Sequence, residues 1–174
     1  MRVADTSLRS QGRFKRLAFS KRGVALGVVA LLALASYGFV NSHRVDSAPN
    51  SGNARCAKVV SDSPDKILSK SRDWAIGDGV ATWGDRDVVL RCGVKELEPT
   101  TNLCITANGV DWVLDEGTLK EDGVSVLTTY GRSPAVELTY SGPREEVGGI
   151  LTSLKSSVDW MPRHSRCLGL DDVS

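Results

Sequence analysis

Residues 103–114 read LCITANGVDWVL, and this stretch decides the fold. Asn108-Gly109 is the preferred pair for a two-residue type I′ turn, in which both central residues take positive φ. With that turn, Ala107 pairs with Val110, Thr106 with Asp111, Ile105 with Trp112 and Cys104 with Val113. Side chains alternate across a strand, so Leu103, Ile105, Val110, Trp112 and Leu114 fall near one face. Cys104, Thr106 and Asp111 take the other. A slip of one residue would reverse every assignment.

Working outward, residues 87–94 (DVVLRCGV) are β-branched and apolar, which predicts a strand. Residues 124–130 alternate, with Val124, Val126, Thr128 and Tyr130 on one side. Gly131-Arg132-Ser133-Pro134 reads as a turn, and residues 135–140 return with Val136, Leu138 and Tyr140 aligned. Gly117 and Glu121-Asp122-Gly123 mark a loop. Pro143 opens a last helix, Glu145 and Glu146 lie in its first turn, and Pro162 ends it. Val147, Ile150, Leu151, Leu154 and Val158 form its apolar stripe. Ahead of the strands, Ser63-Pro64-Asp65 predicts a short helix to about Lys70, with Ser63 as N-cap. This order predicts an α+β two-layer sandwich: an antiparallel sheet of about four strands with helices on one face.

The N-terminal part is different. Residues 23–43 (GVALGVVALLALASYGFVNSH) carry no charged side chain. As a helix the run is about 30 Å long at roughly 1.5 Å per residue, which predicts a transmembrane helix. The alternative is a signal peptide cleaved at Ala33-Leu34-Ala35. The apolar character continues through Tyr37, Phe39 and Val40, which favours the anchor. Residues 1–22 hold seven basic residues and one acid, leaving 15 basic and 20 acidic residues beyond the run. Basic residues beside a span stay in the cytoplasm. The expected plan is a basic cytoplasmic tail (1–22), the span (23–43), a linker (44–55) and an extracytoplasmic domain (56–174). That places a single-pass protein in the plasma membrane, with lipid its partner through residues 23–43. The acidic outer part argues against nucleic acid.

Cys56, Cys92, Cys104 and Cys167 all lie beyond the run. An even count in a small exported domain predicts two disulfides. Of three pairings, Cys92–Cys104 with Cys56–Cys167 is favoured, one closing a short loop and the other tying the domain's ends. No Cys-x-x-Cys occurs and His164 is the domain's one imidazole, so neither a metal site nor a cofactor is expected.

Candidate binding residues are Arg91, Arg132 and Asp111, as an anion-binding or charge-relay group, and Trp83, as an exposed stacking surface. The competing reading is structural: arginine–carboxylate pairs bracing the sheet, and tryptophans packed in the core. No catalytic residue is assigned. Gly-x-Ser-x-Gly, phosphate-loop and dinucleotide fingerprints are absent from the sequence.

At Trp83-Gly84-Asp85, residues 88–94, Gly109-Val110-Asp111-Trp112 and residues 130–135 (YGRSPA), the chain resembles the actinobacterial family called domain of unknown function 3515 (DUF3515). The resemblance covers about residues 56–167. It implies a basic head, one apolar segment and a cysteine-bearing exported domain, and agrees with two disulfides. It implies no activity. The expected function is a non-enzymatic extracytoplasmic domain of the cell envelope, an interaction module with an envelope protein as partner. The alternatives are a small-ligand or glycan binder and an envelope hydrolase.

Overall fold

The structure, a computed structural model, describes residues 21–168. The chain divides between Phe39 and Val40 into two units. Most of helix α1 (Lys21–Ser42) belongs to the first. Its side chains from Gly27 to Ser42 are exposed all round.

No helix among the described residues is long and apolar enough to cross a membrane, which corrects the expected transmembrane helix over 23–43. The described side chains of α1 run from Gly27 to Ser42, sixteen residues, short of the roughly 20 apolar residues a span requires, and Asn41 and Ser42 add polar groups at its end.

The second unit holds one antiparallel sheet of eight strands, not about four. In chain order they are β1 (Lys66–Ile67), β2 (Lys70–Asp73), β3 (Val80–Trp83), β4 (Val88–Val94), β5 (Cys104–Ala107), β6 (Val110–Leu114), β7 (Ser125–Thr129) and β8 (Ala135–Tyr140). The spatial order is β1-β2-β3-β4-β8-β7-β6-β5. Two four-stranded meanders therefore join at the central β4–β8 pair. Residues 95–103 carry the chain from the middle of the sheet to its far edge. The first three strands escape sequence reading because two to four residues leave no visible period. β3 is also buried on both faces, so it shows no alternation.

The hairpin β5–β6 has the expected register, Ala107 with Val110 through Cys104 with Val113. Asn108 and Gly109 take φ of 50° and 81°, as a type I′ turn demands. Both faces of β6 are nonetheless buried. Trp112 points into the main core, and Asp111 lies under the C-terminal segment.

Three helices supply the other half of the core: α2 (Ala54–Ser61), α4 (Val147–Ser153) and α5 (Lys155–Val158). Val59 of α2, Ile150 and Leu151 of α4, Leu154 after it and Val158 of α5 pack with Trp83, Leu90, Trp112, Leu127 and Leu138. The expected stripe of the last helix is buried at all five positions, although that segment is a 3₁₀ turn (Arg144–Glu146) followed by the two short helices. Helix α4 contacts both β1 and β5, the opposite edges of the sheet, so the sheet curls around it.

Two local expectations are corrected. Ser63 closes a helix instead of opening one: its hydroxyl donates to the Val59 carbonyl at the end of α2. The chain then runs into the β1–β2 hairpin, where Leu68 takes φ of 52°. The segment after Leu114 is a helix, α3 (Glu116–Asp122), and not a loop. Asp115 caps it by accepting from the Thr118 N–H, and Gly123 ends it in the left-handed conformation.

The segment expected as a linker, residues 44–55, is mostly exposed but anchored to the domain at a few points, and its last two residues begin α2. Val45 and Ala48 are buried, the Val45 N–H donates to the Ile76 carbonyl, and the Asn50 N–H donates to that of Gly93. Gly93 has no room for a side chain, since a Cβ there would meet the Asn50 carbonyl carbon at 2.4 Å.

The disulfides are Cys56–Cys92 and Cys104–Cys167, so all four cysteines are paired as expected but with different partners. Cys92 and Cys104 lie close in sequence, yet three strands separate β4 from β5 in the sheet. They also face opposite sides. Cys92 shares the core face with Val136, whereas Cys104 sits beside Val113 on the outer face.

Candidate functional site

Arg132 follows Gly131, whose φ of 66° turns the chain between β7 and β8. Its guanidinium is buried and donates to three carbonyls: Asp159 at 3.1 Å, Gly109 at 3.3 Å and Met161. Nε is buried with no partner among the described residues. Burial pulls the Arg132 pKa below its ordinary value, and repulsion from Arg163 adds to this; Asp159 and Asp111 act in the opposite sense. This arginine ties the end of α5, the segment after it and the β5–β6 turn together.

Asp111 is buried beneath residues 163–168, the C-terminal strap. Its carboxylate accepts from the Thr106 hydroxyl at 2.7 Å and from the Cys167 N–H at 3.1 Å. The His164 N–H donates to the Gly131 carbonyl at 2.9 Å, and Arg163 forms a backbone bridge with Arg132. The Cys104–Cys167 bond pins the strap's end to the edge strand.

Arg91 stands in a cross-strand pair with Glu137, its Nε 2.9 Å from the carboxylate. Trp83 is fully buried, not exposed. Its indole N–H donates to the Pro64 carbonyl at 2.8 Å, and the Arg72 guanidinium lies 5.9 Å from its ring centre. The expected anion-binding group of Arg91, Arg132 and Asp111 therefore does not form around a shared opening. Arg132 and Asp111 are neighbours but face backbone and strap, Arg91 faces Glu137, and Trp83 faces the core. The exposed tryptophan is Trp74, 59% accessible, whose ring centre lies 5.3 Å from that of His43.

A concave surface lies on the outer face of the sheet, between residues 95–103 and the strap. A cleft of about 560 Å³ is lined by Pro99, Asn102, Leu103, Val113, Tyr130 and Leu168 among others. Asn102 and Val113 also line an adjoining hollow of about 280 Å³ that contains Thr128 and Glu137. Three of the domain's exposed large apolar side chains border this surface: Leu97 (38% exposed), Leu103 (50%) and Leu168 (73%). His164 of the strap approaches Glu96 of the crossing segment at 3.4 Å. Sequence reading missed the cleft because its walls are loop and strap, which have no period. The one available signal was the apolar Leu97 and Leu103 flanking a polar Pro-Thr-Thr-Asn run.

Compared with protein-family models, residues 23–164 match a family described as a protein of unknown function, DUF3515. No curated protein and no solved structure matches the chain.

Proposed function

The chain belongs to the DUF3515 family, whose function is unknown, and from that premise we propose that its folded unit is an extracytoplasmic, non-enzymatic interaction domain. Two disulfides support the compartment, since such bonds persist where the surroundings are oxidising. The observation that carries the binding role is the outer-face cleft with Leu97, Leu103 and Leu168 on its border. Exposed apolar side chains gathered around a concavity mark partner surfaces. The non-enzymatic reading draws on the placement of Asp111 and His164: one bonds the strap and Thr106, the other faces Glu96. Exposed apolar side chains of α1 within residues 27–42, among them Val29, Leu31 and Leu34, are the ones for which contact with lipid is proposed. The partner proposed for the cleft is a cell-envelope protein.

A photo-crosslinking residue at Leu103, compared in intact cells with one at exposed Lys120 on α3, tests the binding role. A discrete protein adduct is expected at 103 and not at 120, weakened by Leu168→Asp. Equal adducts at both positions, or none at either, would overturn the reading. Compartment is tested by acid-quenching cells and running the protein without reductant; a fully reduced chain in the cell contradicts it. The cleft's volume also suits a small ligand, which stands as the second reading. A saturable small-molecule adduct at 103 in place of a protein would favour it.

A further inference from the structure

The outer face also brings together a set of metal-ligating atoms. The sulfurs of Cys104 and Cys167 and a carboxylate oxygen of Asp111 all lie within 4.8 Å of one another. In the oxidised chain the two sulfurs are bonded to each other and offer no thiolate. We propose that when the Cys104–Cys167 disulfide is reduced, Cys104, Cys167 and Asp111 bind one thiophilic divalent cation of the zinc class.

The frame for this site survives loss of the sulfur–sulfur bond. Cys104 and Asp111 belong to the paired strands β5 and β6, so the hairpin fixes their separation. The strap is held independently: Cys167 by its N–H on Asp111, His164 by its N–H on Gly131, and Arg163 by its bridge to Arg132. A tetrahedral zinc site places its sulfur and oxygen donors about 3.5–3.8 Å apart, given metal–ligand bonds of about 2.0–2.3 Å. The two sulfurs, bonded in the oxidised chain, must rotate apart by roughly 1.7 Å from the usual disulfide length of about 2.05 Å to reach that spacing, while Asp111 already lies within 4.8 Å of both. The chemistry points the same way. Asp111 is buried, and two thiolates released beside it would gather negative charge in one place. A divalent cation removes that repulsion, and soft sulfur donors select the zinc class over magnesium or calcium.

The two disulfides differ in access. Cys56 and Cys92 are fully buried in the core, whereas Cys104 and Cys167 are half-buried. A dithiol reductant reaches the second pair first. It is oxidised to its own disulfide and hands two electrons and two protons to Cys104 and Cys167. The cation then displaces both protons to solvent as the sulfurs ligate it.

The test uses the full chain treated with limiting dithiothreitol, freed of reductant without air, and titrated with Cd²⁺. Alkylation mapped by mass spectrometry should mark Cys104 and Cys167 and leave Cys56 and Cys92 unmarked. One Cd²⁺ per chain should bind with a thiolate-to-cadmium charge-transfer band, at least tenfold more weakly in Asp111→Asn. The double variant Cys104→Ser with Cys167→Ser should lose the band. Should Asp111→Asn fail to fold, Co²⁺ on the reduced wild-type chain decides: a tetrahedral spectrum with thiolate bands is expected. First alkylation at Cys56 or Cys92, no charge-transfer band, unchanged affinity in Asp111→Asn, or an octahedral cobalt spectrum would each overturn the proposal.

Discussion

Gly131 lies directly against Ser165: a Cβ built on Gly131 would fall 2.1 Å from the Ser165 carbonyl oxygen. That contact is how the strap reaches Asp111 and Cys104. The backbone before Arg132 must be bare, and it must hold a φ of 66°.

Replacing Gly131 by Ala is expected to cost about 3 kcal/mol or more, because left-handed strain adds to a backbone clash. Gly109 is the control. It also has positive φ, at 81°, but nothing lies within 4 Å of a Cβ there. Gly109→Ala should cost only about 1–2 kcal/mol. Urea titration of both variants measures the difference, and trypsin should cut after Arg163 or Arg166 faster in Gly131→Ala alone. Equal costs would mean that the strap yields freely.

Arg132→Met should lower stability by about 3 kcal/mol, since bonds from a charged donor contribute about 1.5–3 kcal/mol each and the carbonyls are left without it. Arg132→Lys should recover only part of this. A single ammonium cannot span the carbonyls of Gly109, Asp159 and Met161 as the planar fork does. A neutral Arg132→Met would show that these carbonyls are equally content with water.

The disulfides close loops of 36 and 63 residues. In the chain-entropy model each contributes about 4 kcal/mol, the longer loop slightly more. Changing Cys104 and Cys167 to Ser should therefore destabilise the domain through the unfolded chain, while the core stays packed and the strap keeps its hydrogen bonds to Asp111 and Gly131. Cys56 and Cys92 to Ser should cost more than the model value, because the buried bond is also core packing. Calorimetry with non-reducing mass mapping checks both.

Tyr140 is buried, and its phenol donates to the Glu146 carboxylate. Burial raises its pKa well above the ordinary value, with the Glu146 hydrogen bond and charge adding to the shift. The folded chain therefore holds the phenol proton more tightly than the unfolded chain does. Its stabilising effect is fully present below about pH 10, the unfolded value, and declines as pH rises toward the folded value. Tyr140→Phe should lose about 1–2 kcal/mol at neutral pH. It should also flatten the alkaline part of the stability profile. Denaturant midpoints collected from pH 7 to 11 would show whether the two profiles converge as expected.

Much of the second meander was legible because it is local. Asn108-Gly109 sets a turn whose register follows by counting, and the stripe of Val147, Ile150, Leu151, Leu154 and Val158 announces its buried face whatever it packs against. In the first meander only the last strand, β4, was legible. Lys70–Asp73 is polar in sequence and becomes a strand because β1 pairs with its first half and β3 with its second. The candidate site was read less well. Arg91, Arg132, Asp111 and Trp83 are the polar and aromatic residues that stand out in the sequence, and each is engaged internally.

By itself, then, the sequence determined the β5–β6 hairpin, the strands at 88–94 and 135–140, the helical stripe and the pairing of all four cysteines into disulfides. These depend on neighbours within a few residues, or on composition alone. The tertiary structure decided which cysteines meet, how many strands the sheet has, and which surface is concave. Those outcomes depend on the crossing of residues 95–103 from β4 to the far edge, which separates Cys92 from Cys104 by three strands and two faces. Sequence distance carries no information about such a crossing, because the path is set by which sheet edge remains to be paired.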